Sequence, residues 1–554
     1  MSVARGGLTR RAVSRFALAV AAGVVPGCRD HRSATGPDDG GTGTVVGRVD
    51  VAIDPYQDRA PISPYLYGSN QDYAGNAWTV RRFGGNRTTG YNWETNFSNA
   101  GADYLHQSDL YLITNAGLPA GDAAIPGRVV TYFHTQSLNM GAQSIITLQM
   151  AGYAAADANG PVSVAETAPS PRWVTVAPRK NAPFATTPDL SDGVVYMDEL
   201  VNLLVQRFGD AASANGVRWY SLDNEPELWP YTHPRIHPDP LRAAELMSRS
   251  IALATAVKDV DPTSEILGPS HYGIAAYVSL QDAPDWNALK TSGGYDWFID
   301  YYLDQMRQAG TGAGKRLLDV LDVHWYPEAR GDHRITDADA TTETDAQARL
   351  QAPRTLWDST YREDSWVAQY LSAFLPILPR LRRSIDRYYP GTRLAVSEYS
   401  YGGGGSVSGG LAQADVLGAF GRYGVYIATL WGIGPADSYS AAAFRLYRNY
   451  DGRLGVFGNT GVRAATSDIA NTSVYAAITD QDASALHVIL LNKNHGALEV
   501  RVHIAGAQTY TSGDVWGFGP GSPGITKRAG VTGIAGNAFS YVLAGTTAVH
   551  MVLR

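Results

Sequence analysis

Between residues 61 and 452 the chain alternates two hydrophobic patterns. Short apolar, β-branched runs are separated by longer stretches in which apolar positions recur every three or four residues. The first pattern predicts buried strands and the second predicts helices with one face on a core. Eight runs read as strands: YLYGSN (65–70), TVRRFGG (79–85), AQSIITLQM (142–150), VRWYSLDN (217–224), EILGPS (265–270), VLDVHWYP (320–327), RLAVSEYS (393–400) and YIATLWGIG (426–434). GVVYMDELVNLLVQRFGD and PLRAAELMSRSIALATAVKDV are helical segments between them. Strands alternating with helices imply a parallel sheet, and eight of them predict a closed (β/α)8 TIM barrel over 61–452 rather than an open doubly wound sheet. No GxGxxG follows the first strand, which counts further against a dinucleotide fold.

After about residue 453 the helical period disappears. SVYAAITDQDASALHVILLNKNHGALEVRVHIAG and the terminal SYVLAGTTAVHMVLR alternate apolar and polar positions between turns, predicting an antiparallel β-sandwich over 453–554. VVGRVDVAID, within 45–60, has no barrel partner in the pattern and is assigned to that sandwich as an N-terminal strand. Residues 28–44 lack any hydrophobic period and read as a flexible tether.

Residues 1–27 run from Arg5, Arg10, Arg11 and Arg15 through FALAVAAGVV to VPGC, the layout of a signal peptide. Cys28 is the sole cysteine, so an intrachain disulfide and a cysteine-based metal site are both excluded. The small residue before Cys28 resembles a bacterial lipoprotein cleavage box, in which the cysteine carries the lipid, and TRRAVSRF faintly resembles a twin-arginine signal. The expectation is an exported cell-envelope lipoprotein, otherwise a secreted protein, touching a membrane only through Cys28. With 45 basic and 52 acidic residues the net charge is −7, and no basic run is long enough to track a phosphate backbone. Nucleic acid is therefore not an expected partner. The 32 Tyr and 12 Trp, against 13 Phe, favour amphipathic rings that cover flat, hydroxyl-bearing ligands.

Barrel chemistry sits at the carboxyl ends of strands. There, SLDNEPELWP crowds Asp223, Glu225 and Glu227 at the end of the fourth strand, and Glu398 ends the seventh. Glu225 and Glu398 would face each other across the mouth. One carboxylic acid to protonate a glycosidic oxygen and one carboxylate to attack, or to activate water, are what glycoside hydrolysis requires, and no cofactor is implied. Asp223 reads as a group behind the site and Glu227 as a structural loop residue.

Asn224-Glu225-Pro226 with a second Glu on the seventh strand resembles the clan of retaining (β/α)8 glycosidases. RRFGGNRTTGYNWETNFSNAG, WYSLDNEPELWPYTHPRIHPDP, VHWYPE, LWDSTYREDSW and VSEYSYGG narrow this to a resemblance to glycoside hydrolase family 44 over roughly residues 45–554. The resemblance implies a retaining endo-β-1,4-glucanase acting on cellulose-type polymers, mixed-linkage glucan and xyloglucan. Glu225 would be the general acid/base, Glu398 the nucleophile, and Asn224 the partner of the sugar 2-hydroxyl. The expected driver of a raised Glu225 pKa is Glu398 across the site.

Trp93, Trp229, Trp325, Tyr326 and Trp431 are candidate sugar platforms, with Trp325 and Trp431 foremost. Arg82 and Asn86, at the end of the second strand, His324 on the sixth and Tyr401 past Glu398 are further substrate-binding candidates. His233 and His237 are separated by helix-breaking Pro234, so no metal is assigned to them. DADATTETD (337–345) lacks the glycine and terminal Glu of a calcium loop, although a structural calcium held by carbonyls would leave no trace in sequence. A monomer is expected, since a cleft enzyme of this kind can work as one. Two alternatives stand beside this reading: a related barrel glycosidase acting on xylan or mannan, and a non-catalytic carbohydrate-binding surface lipoprotein. No GxSxG or GxxxxGK[ST] supports a serine hydrolase or a phosphate loop.

Overall fold

All eight predicted runs supply strands to one closed parallel barrel in the computed structural model, which describes residues 44–554 apart from 71–77 and 186. The stretches read as a signal peptide and, as far as residue 43, as a tether lie outside the described residues, and so does Cys28. In chain order the barrel strands are Gly68–Ser69, Val80–Phe83, Gln143–Leu148, Trp219–Leu222, Glu265–His271, Val320–Trp325, Arg393–Tyr399 and Ile427–Leu430. They are buried on both faces, which is why they appear in the sequence as largely apolar runs rather than as alternation. Val80, Ile145, Trp219, Leu267, Val320, Ala395 and Ile427, from seven strands, form a buried apolar cluster of their own inside the barrel, with Tyr65 and Tyr426 packed against it.

The two helical segments form over Met197–Phe208 and Ala243–Val260. The residues just before the first of these are extended. Val194–Tyr196 pairs with Trp173–Ala177 in a small three-stranded sheet that the sequence pattern does not foretell, β-branched Val194 and Val195 suiting it. Adjacent arginines on the second barrel strand show strand alternation at work. Arg81 points outward to the Phe133 carbonyl and the Ser137 hydroxyl of helix Arg128–Asn139, at 3.2 and 2.9 Å, whereas Arg82 points toward the mouth.

After the barrel, strands from Thr460–Thr466 to Thr547–Leu553 form the sandwich. The N-terminal strand Val45–Asp54 lies between Thr460–Thr466, antiparallel, and Ala497–Ile504, parallel. Its inward Val49, Val51 and Ile53 join the sandwich core while the alternate residues face out.

Barrel helices Val407–Arg422 and Ser438–Arg448 fasten the two parts together. Asp415 pairs with Lys493 at 2.6 Å and accepts from the Tyr475 hydroxyl at 2.6 Å, all three buried. His550 Nδ1 lies 2.8 Å from the Leu446 carbonyl and so donates to it. The other ring nitrogen, Nε2, then accepts from His487 Nδ1 at 3.0 Å. This pairing requires His550 to be neutral and His487 to carry a proton on Nδ1. Burial, reinforced by Arg554, pulls the His487 pKa down to about 4, and burial next to His487 takes His550 well below its usual value.

Because the unfolded chain takes up these protons near pH 6.5, the stabilisation is complete above that pH and is lost as pH falls toward 4. His487 alone accounts for about 3 kcal/mol of the loss at 1.36 kcal/mol per pH unit. Denaturant midpoints measured from pH 7 to 4 should fall less steeply in a His487→Phe/His550→Phe variant than in the natural chain. Parallel curves would show that the pair does not govern acid stability.

Candidate active site

The irregular ends of the barrel strands put the polar residues in place. The ladder between the sixth and seventh strands shifts register between Val323 and His324, so that His324 lies opposite Glu398 and Trp325 opposite Tyr399. Such bulges re-aim side chains at barrel rims. At the end of the fourth strand, Asp223 and Glu225 both adopt left-handed backbone, with φ of 59° and 43°. This costs about 1–3 kcal/mol at each non-glycine position unless neighbours hold it. The buried Asp223 carboxylate does so, accepting from the Thr89 hydroxyl, the Met150, Ala151 and Asn224 backbone N–H groups at 2.5 to 3.0 Å. The Glu225 N–H donates to the Ser270 carbonyl at 3.1 Å.

The twist sends the three crowded acids in different directions. Asp223 binds backward to the third strand's end. Glu227 turns aside, is buried, and pairs with His271 at 3.1 Å and the Tyr272 N–H at 2.6 Å. Glu225 reaches into the mouth, where its Oε1 is 2.9 Å from His324 Nδ1, and the same nitrogen is 3.6 Å from Glu398 Oε2. Closest ligand atoms of Glu225, His324 and Glu398 all lie within 4.8 Å of one another. Among the described residues this is the one group with the spacing of a metal site, but Arg82 lies against Glu398 and opposes a cation there.

Glu398 is held from two sides, by Arg82 Nη1 at 2.6 Å on Oε1 and by the Tyr326 hydroxyl at 2.9 Å on Oε2. Arg82 Nη2 donates to Asn224 Oδ1 at 2.8 Å, and Nη1 also to Asn70 Oδ1 at 3.2 Å. Burial first, and the charge of Glu227 second, push the Glu225 pKa up to about 8, with Arg82 opposing. Glu398 is not the driver the sequence suggests, since its charge is engaged by Arg82 and Tyr326. Burial also lowers the His324 pKa, so acid and imidazole meet as neutral groups.

Several aromatic candidates need correction. Trp93 and Trp229 are completely buried. The Trp93 indole N–H donates to the Tyr196 carbonyl at 3.2 Å, and Trp229 packs against His237. Trp325 and Tyr401 are only 3 % and 2 % exposed, and Tyr401 makes no bond to Glu398. A platform must show a ring face, and these three tryptophans do not, while Tyr401 is too buried to reach a sugar. Trp431 is partly open, its ring lying over Gly85, where a Cβ would come within 2.6 Å of it. Tyr326 is partly open too, but its hydroxyl acts on Glu398. Asn86 lies beside Asn224, whose Nδ2 donates to Asn86 Oδ1 at 3.1 Å. Asn70 was missed by sequence reasoning, although it directly follows the first strand and the strand-end rule applied there finds it.

An eight-stranded parallel barrel with two facing carboxylates at its mouth defines a glycoside hydrolase. Comparison with known proteins makes the assignment specific. Residues 97–329 match the model of glycoside hydrolase family 44. The chain is 55% identical over 509 residues to endoglucanase A of Paenibacillus lautus, covering 91% of this chain and 72% of that protein. The solved family 44 endoglucanase of Clostridium thermocellum superposes with a TM-score of 0.90 at 55% identity, over 92% of this chain and all of that one. A family 44 xyloglucanase of Paenibacillus polymyxa, solved with xyloglucan, gives 0.89 at 53% identity, over 91% and 99% of the two chains. The chain belongs to glycoside hydrolase family 44.

Proposed function

We propose that this chain is a retaining endo-β-1,4-glucanase cutting glucan backbones, xyloglucan among them, with Glu398 as nucleophile and Glu225 as general acid/base. The observation that carries the reading is the closeness of the two carboxylates, whose facing atoms lie within 4.8 Å. Retaining enzymes hold their carboxyls roughly 5–5.5 Å apart, whereas inverting ones leave roughly 6.5–9.5 Å for a water. Relatives named as endoglucanases and a xyloglucanase support the substrate class.

In the first step Glu398 attacks the anomeric carbon as Glu225 gives its proton to the departing sugar oxygen, leaving a glycosyl ester. In the second step Glu225, now a carboxylate, takes a proton from water, which displaces Glu398 with a second inversion. Arg82 and Tyr326 orient the attacking carboxylate, and the raised Glu225 pKa keeps the acid loaded up to about pH 8. Asn224 binds the 2-hydroxyl, and Trp431 offers a ring face to a sugar. The two carboxylates and water suffice, so the reaction calls for no cofactor. The Arg-bearing apolar start that ends in VPGC supports export, with Cys28 as lipid carrier.

Reducing-sugar release should be measured on xyloglucan, carboxymethyl cellulose, barley β-glucan, xylan and mannan, with NMR of the first product anomer. Release from the glucans, with the β-anomer formed first and a basic limb near pH 8, is the expected result. An α-anomer formed first would overturn retention, and release from xylan or mannan alone would overturn the substrate class.

A further inference from the structure

We propose that Asp103 is a positioning residue that works through Asn86 to keep the donor side of the Asn224 amide available to the sugar. The inference deepens the reading of Glu225 and Glu398 as the working pair and rests on it.

The two ends of an amide differ little in shape, so its partners must fix which end faces which way. Arg82 carries only donors, so the Asn224 atom 2.8 Å from its Nη2 is the oxygen. The ionised Asp103 carboxylate only accepts, so the Asn86 atom at 3.0 and 3.2 Å from its two oxygens is the nitrogen. Between these fixed ends, Asn224 Nδ2 donates to Asn86 Oδ1 at 3.1 Å. With an obligate donor at one end and an obligate acceptor at the other, each amide has one orientation. Asn224 Nδ2 commits one hydrogen to Asn86 and keeps the second for a sugar hydroxyl. Arg82 also holds Glu398, so one polarised chain runs from the nucleophile to an exposed aspartate at the rim.

The fold ties Asp103 to the loop that carries the acid. Asp103 ends the short turn Gly101–Asp103, and Gly101 has a φ of +56°. A Cβ there would lie 2.2 Å from the Thr232 carbonyl, a few residues past Glu225, so only glycine allows this approach. Desolvation raises the Asp103 pKa, while the Asn86 bond and Arg87 oppose the rise.

A second consequence is electrostatic. The charged or titratable groups around Glu225 are Glu227, Asp103, Arg82, His324 and Glu398, with the Tyr272 and Tyr326 hydroxyls. After burial and Glu227, the Asp103 charge helps hold the Glu225 proton. Neutralising Asp103 should therefore move the basic limb of the rate profile to lower pH.

The test is a set of pH profiles of kcat and kcat/KM on a soluble β-glucan for the natural chain, Asp103→Asn, Asp103→Lys, Asn86→Ala and the Asp103→Lys/Asn86→Ala double variant. Asp103→Asn keeps an acceptor for Asn86 but removes the charge, so its basic limb should fall in pH with less than about a threefold loss of kcat at pH 6, small beside a full group misplacement. Asp103→Lys brings a donor, which turns Asn86 round and sets its nitrogen against that of Asn224. Asn224 cannot follow, because Arg82 holds its oxygen. The loss in kcat should reach at least about tenfold. In the Asn86→Ala background the same lysine should add only the limb shift, since the coupling passes through Asn86.

A lysine effect equal with and without Asn86 would overturn the proposal, and an unmoved basic limb in Asp103→Asn would overturn its electrostatic consequence. If Asp103→Lys fails to fold, Asp103→Leu takes its place, offering Asn86 no acceptor, and should lose more kcat than Asp103→Asn. An equal loss would overturn the relay. A natural chain inactive on every glucan would instead overturn the function proposed above.

Discussion

Glu398→Gln is expected to cut turnover on every β-glucan by more than about 10⁴-fold, because the double displacement has no path without its nucleophile. The amide keeps the volume and can still meet Arg82 and Tyr326, so the fold should survive, and a circular dichroism spectrum matching the natural chain would verify this. The decisive measurement uses Glu398→Gly with azide, which fits the space left by the carboxylate. With an aryl β-cellobioside as donor, azide should attack the anomeric carbon, release the phenol and give the α-glycosyl azide in a single inversion. Turnover retained in Glu398→Gln, or a β-azide from the glycine variant, would mean that another group attacks.

Glu225→Gln should lower the rate on polysaccharide by about 10²–10⁴-fold, the usual contribution of a positioned acid or base. The effect should depend on the leaving group, because an activated phenol departs without a proton whereas a sugar hydroxyl does not. On an aryl cellobioside the first step should survive and the second, which needs a base for water, should stall. A burst of phenol followed by a slow phase is then expected, with mass spectrometry showing one glycosyl unit attached to Glu398. The basic limb near pH 8 set by the buried acid should vanish. Equal losses on both substrate types, without a burst, would remove Glu225 from this role.

The barrel was legible in sequence because strands buried on both faces are apolar at most positions, and Val320–Trp325, buried throughout, departs from this only at Asp322 and His324. Glu225 and Glu398 were legible because strand ends are where a barrel does its chemistry. Ring exposure was not. Trp93 and Trp431 both follow barrel strands, yet one is entirely covered and the other is partly open, a difference set by long loops that carry no period. Asp103 was missed for a similar reason, since a glycine turn against Thr232, far along the chain, brings it to Asn86. The source of the Glu225 shift depended on three-dimensional pairing, because Glu398 could act as driver only if Arg82 were elsewhere.

The strand Val45–Asp54 has a consequence for how the molecule is made and cut. It is translated before the barrel, but its ladder partners, Thr460–Thr466 and Ala497–Ile504, come more than 400 residues later. The chain must therefore finish the whole barrel while Val49, Val51 and Ile53 wait as an unpaired apolar edge, a template for pairing with other chains. A fragment meant to isolate the barrel has to begin after residue 54 as well as stop before 460. One trimmed only at its far end would carry an orphan strand, and aggregation of that fragment would say nothing about whether the barrel itself can stand alone.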